Sequence, residues 1–162
     1  SFGGNFNRLK ALKMKSGGAY LAPDAGTFSD NDMARLRAMF SALATASPSA
    51  RIVIACGSSG GLVCYQFARE KELVARLAGV ELLGSYGDTS YLTSDAGRAR
   101  VPIVIAHGSG DSVFAVADLE RFYTTVRDAG VPVRMVRFET GTHGTPIRMI
   151  DWRETLNWLL TN

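Results

Sequence analysis

The chain has 162 residues, enough for one domain with a buried core, and its 46% hydrophobic and 20% charged residues have the balance of a soluble globular protein. The net charge of +3 is mild and scattered. The nearest basic run, Arg8 to Lys15, alternates basic and apolar residues as a solvated helix face does, which argues against a nucleic-acid partner, and no apolar stretch is long enough for a membrane span.

Short apolar runs alternate with amphipathic segments along the chain, the pattern of an α/β domain with a mostly parallel sheet and helices on both faces. Gly18 to Ala22 is a short apolar run closed by Pro23 and reads as a first strand. Ser29 caps a helix carrying Met33, Leu36, Met39, Phe40 and Leu43, and Asp32 completes a shortened capping box. Arg51 to Cys56 is continuous and β-branched, as a central strand buried on both faces should be. Gly60 to Leu77 reads as a helix. Val80 to Leu83 and Val101 to Ala106 read as strands, Val116 to Ala129 as a helix ended by Gly130, Val131 to Phe138 as a strand, and Ile147 to Leu160 as the last helix. The longest irregular stretch, Ser85 to Arg100, leaves no room for a large lid domain. Residues 1–162 read as a single domain.

The two cysteines, Cys56 and Cys64, flank the turn that follows the second strand. A disulfide between them would have to bridge that sharp turn, so each is expected as a free, buried, apolar side chain. That usage leans slightly toward a reducing, cytoplasmic compartment, while localisation itself stays open.

The turn is Gly57-Ser58-Ser59-Gly60-Gly61, between an apolar strand and a helix. A serine hydroxyl becomes a useful nucleophile when a base takes its proton and amides hold the oxyanion it generates. In a Gly-x-Ser-x-Gly elbow the residues two before and two after the serine must be small. With Ser59 as nucleophile those positions are Gly57 and Gly61. Ser58 is the rival, but it would put Cys56 at the crowded first position, so Ser59 is preferred. A glycine-rich anion site is the alternative reading of the turn, but no Lys follows the glycines and the Gly-x-Gly-x-x-Gly spacing is absent.

The base must be one of two histidines. His143, in Gly141-Thr142-His143-Gly144, follows the last strand, where catalytic groups of such sheets sit. His107 ends an earlier strand and reads as a structural histidine. Asp111, in Gly108-Ser109-Gly110-Asp111, is the acid placed to orient His143, whereas Asp88 reads as a turn former.

In the order Ser59, Asp111, His143, with His107-Gly108-x-x-Asp111 and Gly141-Thr142-His143-Gly144, the chain resembles the α/β-hydrolases of the esterase, lipase and dienelactone-hydrolase type. The resemblance runs from Ser1 to Leu160. It implies an α/β-hydrolase fold and a serine hydrolase that cleaves a small-molecule or polymer-borne carboxylic ester through an acyl-enzyme, with no cofactor and no metal. Ser1-Phe2-Gly3-Gly4-Asn5 resembles the family's oxyanion loop, so the amides of Phe2 and Gly60 are the expected oxyanion donors. On this resemblance the sheet is N-terminally incomplete, and a missing N-terminal segment or a companion chain would supply further strands. A non-catalytic ligand- or partner-binding domain and an amidase or peptidase are the alternative functions.

Overall fold

Four strands pair in parallel in chain order: Ile52–Gly57 (β1), Leu77–Leu83 (β2), Ile103–Gly108 (β3) and Val133–Phe138 (β4). The computed structural model describes residues 7–23 and 28–162. Parallel neighbours require crossovers, and each crossover here carries helix. Gly61–Phe67 (α3) and Lys71–Val74 (α4) join β1 to β2, Asp95–Arg98 (α5) lies between β2 and β3, and Val116–Asp128 (α6) lies between β3 and β4. Asn7–Lys15 (α1) and Asp30–Ala46 (α2) precede the sheet; Thr145–Met149 (α7) and Trp152–Thr161 (α8) follow it.

The sheet is covered on both faces, so its central strands are buried along their whole length, β2 and β3 without interruption. Val80, Leu82, Ile103 and Ile105 pack with Met33 and Leu36 of α2, Phe67 of α3 and Leu119, Phe122 and Val126 of α6. On the other face Leu83 and Ala106 pack with Leu9 of α1, Ile147 of α7 and Trp152 and Leu156 of α8. The capping box at Ser29 forms in both directions: the Asp32 amide donates to the Ser29 hydroxyl at 3.2 Å, and the Ser29 amide donates to the Asp32 carboxylate at 3.1 Å.

The two outer strands of the described sheet differ in kind. β4 carries Arg134 and Arg137, paired with Glu154 and Glu120, so charge covers its edge. β1 carries no charged residue, and Ile52 to Ala55 are only half-buried. Residues 18–23 contain no strand, contrary to the expectation for Gly18 to Ala22. A strand needs a ladder partner, and this run has none among the described residues.

Two expected helices are each broken. Gly60 to Leu77 divides after Phe67, where the Ala68 carbonyl accepts the Ala96 amide (2.9 Å) instead of continuing the helical ladder. Ile147 to Leu160 divides at Asp151, whose carboxylate accepts the Arg153 and Glu154 amides (3.0 and 3.1 Å) and starts α8 afresh.

Cys56 and Cys64 form a disulfide, against the expectation of free thiols. The turn at Ser58–Gly60 reverses the chain so closely that α3 runs back beside β1, bringing the two Cα atoms to 6.2 Å, within bridging range. No helix among the described residues is long and apolar enough to cross a membrane.

Candidate active site

All four strands run the same way, so the segments that follow them gather at one edge of the sheet. β1 leads into the serine turn, β2 into Ser85 and Tyr86, β3 into Asp111 and β4 into His143.

The serine turn places Ser58, not Ser59, against the histidine. Ser58 sits at φ 53°, a left-handed conformation rare for a residue with a side chain. Its hydroxyl is 2.8 Å from His143 Nε2. Ser59 is exposed and makes no hydrogen bond to His143. The expectation favouring Ser59 rested on the glycines at 57 and 61, and both are needed for other reasons. A Cβ on Gly57 would lie 2.9 Å from Ile147 Cδ1, and one on Gly61 would lie 2.1 Å from Ser85 Oγ. Cys56, the residue two before Ser58, is accommodated there by turning into the disulfide with Cys64.

The Ser58 carbonyl accepts the Ser85 hydroxyl at 2.7 Å, which ties the strained residue to the end of β2. The loop beyond Ser85 is itself pinned. The buried Tyr65 hydroxyl donates to the Tyr86 carbonyl (2.8 Å) and accepts the Asp88 amide (3.1 Å). Asp88 accepts the Ser90 amide at 2.8 Å and caps the turn Thr89–Thr93, the turn-forming role read for it in the sequence.

Asp111 and His143 meet across the ends of β3 and β4. His143 Nδ1 lies 2.8 Å from Asp111 Oδ2, so with Nδ1 protonated the imidazole donates there and leaves Nε2 free to accept from Ser58. The loops approach this closely because position 108 is glycine: a Cβ there would be 2.2 Å from the Gly141 carbonyl oxygen. The Asp111 side chain is fully enclosed, while that of His143 keeps 21% of its exposure. Burial pushes the Asp111 carboxyl up. The hydrogen bond from His143 and the amides of Val113 (2.8 Å) and Phe114 (3.1 Å) pull it down, and the net is a pKa below the ordinary carboxylate value.

Aromatic rings flank the histidine. Phe114 lies 5.7 Å from the His143 ring, centroid to centroid, and Tyr86 lies 5.7 Å from Phe114. Gly60, an expected oxyanion donor, begins α3 as its N-cap residue. Phe2, the other, lies outside the described residues. No group of three or more His, Cys, Asp or Glu side chains placed to hold a metal occurs among the described residues.

A hydroxyl, an imidazole and a buried carboxylate joined in one hydrogen-bonded line can move a proton off the hydroxyl and stabilise the resulting imidazolium. Comparison with known proteins places the chain at the level of family and fold. Residues 24–147 match the dienelactone hydrolase family. Among solved structures, Arabidopsis thaliana SOBER1 is similar at 14% identity and a TM-score of 0.57, over 80% of this chain and 61% of that one. A putative hydrolase of the alpha/beta superfamily from Xanthomonas campestris pv. campestris is similar at 18% identity and 0.58, over 87% and 80%. A thermostable esterase is similar at 24% identity and 0.56, over 70% and 31%. At these identities the likeness shows the α/β-hydrolase fold. The chain spans about three fifths of the length of the SOBER1 structure. No curated protein matches the sequence.

Proposed function

Because this chain belongs to the dienelactone hydrolase family, a family of hydrolases, we propose that it is a serine hydrolase that cleaves carboxylic esters, with Ser58 as nucleophile, His143 as base and Asp111 as orienting acid. The observation that carries the reading is the line Ser58 Oγ–His143 Nε2 and His143 Nδ1–Asp111 Oδ2, each step 2.8 Å.

In this mechanism the Ser58 oxygen attacks the ester carbonyl carbon while His143 Nε2 takes its proton. Asp111 holds Nδ1 protonated and stabilises the imidazolium. Main-chain amides bind the tetrahedral oxyanion. With Ser58 as nucleophile the amide next in sequence is that of Ser59, one residue before the Gly60 amide expected from the sequence. The C–O bond breaks, the alcohol leaves with the proton from His143, and an acyl-Ser58 ester remains. Water, deprotonated by the same imidazole, then attacks that ester and releases the carboxylic acid. Tyr86 and Phe114 beside the triad suit a small-molecule ester with an apolar portion.

A fluorophosphonate probe tests the assignment. Labelling should be present in the parent chain and in Ser59→Ala, and absent from a folded Ser58→Ala. Labelling that survives Ser58→Ala, or disappears only with Ser59→Ala, overturns it.

A further inference from the structure

The chain has two imidazoles, and the mechanism above uses one. The other, His107, ends β3 with a fully buried side chain. Its Nε2 lies 2.9 Å from the Phe114 carbonyl oxygen and 3.4 Å from Asp111 Oδ2. Its Nδ1 is buried without a hydrogen-bond partner among the described residues.

Those contacts select a tautomer. A carbonyl oxygen only accepts, so Nε2 must carry the proton. Leaving Nδ1 as a bare lone pair also avoids burying an unpaired N–H. The single N–H of His107 therefore points at the Phe114 carbonyl and leans toward Oδ2, the carboxylate oxygen that receives His143. The other oxygen, Oδ1, accepts the Val113 and Phe114 amides. Phe114 thus gives its amide to the acid and its carbonyl to His107, and its ring rests against His143.

We propose that His107 is a positioning residue for the triad: its Nε2–H fastens the 111–114 turn from beneath and fixes the rotation of the Asp111 carboxylate, so that Oδ2 faces His143. The inference rests on the reading of Asp111 as the orienting acid. The motif His107-Gly108-x-x-Asp111 put His107 near the acid in sequence, but the role itself depends on a ring nitrogen meeting a carbonyl seven residues later.

With only two histidines, ring ¹⁵N–¹H NMR resolves each of them, and it reads the proposal without relying on turnover. In the parent chain His107 should be protonated on Nε2, and His143 should show a hydrogen-bonded, downfield Nδ1 proton. In His107→Ala that downfield proton should broaden or vanish, because the Phe114 carbonyl has lost its donor and the 111–114 turn its anchor. Ester turnover should fall about 10- to 100-fold in kcat with KM changed less than about twofold, the pattern of a misaligned catalytic group. His107→Gln, whose amide nitrogen can reach the same carbonyl, should recover the resonance and most of kcat.

Protonation of His107 on Nδ1 overturns the proposal. So does a folded His107→Ala that keeps both the His143 resonance and kcat. If His107→Ala does not fold, the parent tautomer and His107→Gln decide, and a folded Gln variant lacking the resonance overturns it. The two readings fail separately. Imidazole behaviour as described, in a chain whose Ser58 resists the fluorophosphonate probe, defeats the hydrolase assignment and leaves the positioning role standing.

Discussion

The Ser58 hydroxyl and the His143 imidazole meet at 2.8 Å across 85 residues of sequence. Ser58 reaches that point through its left-handed backbone at the end of β1, and His143 through the loop after β4. Neither side chain is positioned by its immediate neighbours alone. The Ser85 hydroxyl holds the first, and the Asp111 carboxylate holds the second.

Replacing Asp111 with Asn removes the acceptor that fixes the imidazole, and turnover should fall by about 10³- to 10⁴-fold with the fold retained. The substitution also has a pH signature. The native pKa of Asp111 is depressed, so the stability it contributes is present above the ordinary carboxylate pKa of about 3.9 and is lost as pH falls through the native value. Thermal melts from pH 7 to pH 3 should show parent and Asp111→Asn converging on acidification. A gap that stays constant over that range would mean the carboxylate is not held as described.

The Cys56–Cys64 disulfide closes a short loop around Ser58. Loop-closure entropy for such a ring is worth about 2–3 kcal/mol. Cys56→Ala/Cys64→Ala should therefore melt earlier and label more slowly with a fluorophosphonate, since the turn bearing Ser58 loses its tether. Thiol counting on the unreduced protein under denaturant checks the premise directly. Two free thiols would show that the bridge is absent in solution.

Glu81 lies in the middle of β2 with no exposure, opposite Ala55 of β1 and Val104 of β3. Among the described residues neither carboxyl oxygen has a hydrogen-bond partner of good geometry, and the nearby Thr155 hydroxyl, which donates to the Asp151 carbonyl, only tempers the effect. Burial pushes the Glu81 carboxyl up to about 7. The native state therefore holds the proton more tightly than the unfolded chain, and stability declines as pH rises from the unfolded pKa toward 7. Glu81→Gln should stabilise the chain by about 2–4 kcal/mol at pH 8 and by little at pH 4, read by urea unfolding at both. An equal gain at the two pH values would rule out a buried ionisation.

At Gly108 an added Cβ would collide with the Gly141 carbonyl oxygen, which is backbone and cannot swing aside. Gly108→Ala should push the Asp111 and His143 loops apart and lower turnover by about 10²-fold or more, the scale expected for a displacement near 1 Å. The corresponding change at Gly60, where no atom of the described residues lies within 4 Å of the added Cβ, should be mild by comparison.

Much of this protein is legible in local sequence. Runs such as Val80 to Leu83 and Val101 to Ala106 announce buried parallel strands, because a strand covered on both faces has no polar side to alternate with. Ser29 and Asp32 mark the start of α2, because a capping box is completed within four residues. The loops bearing Asp111 and His143 are predictable as neighbours, because parallel strands deliver their following segments to one edge.

Tertiary structure alone decided the rest. Ser58 and Ser59 are adjacent and chemically identical, and the choice between them turns on one φ angle and on how Gly57 meets Ile147 and Gly61 meets Ser85. The disulfide depends on α3 folding back along β1, which the spacing of two cysteines does not encode. The break after Phe67 depends on an amide from Ala96 capturing one helical carbonyl. Each of these is a contact between segments separated in the chain, and local propensity carries no information about which distant atom will arrive. The serine turn was visible in the sequence; which hydroxyl it presents to His143 was set by the packing around it.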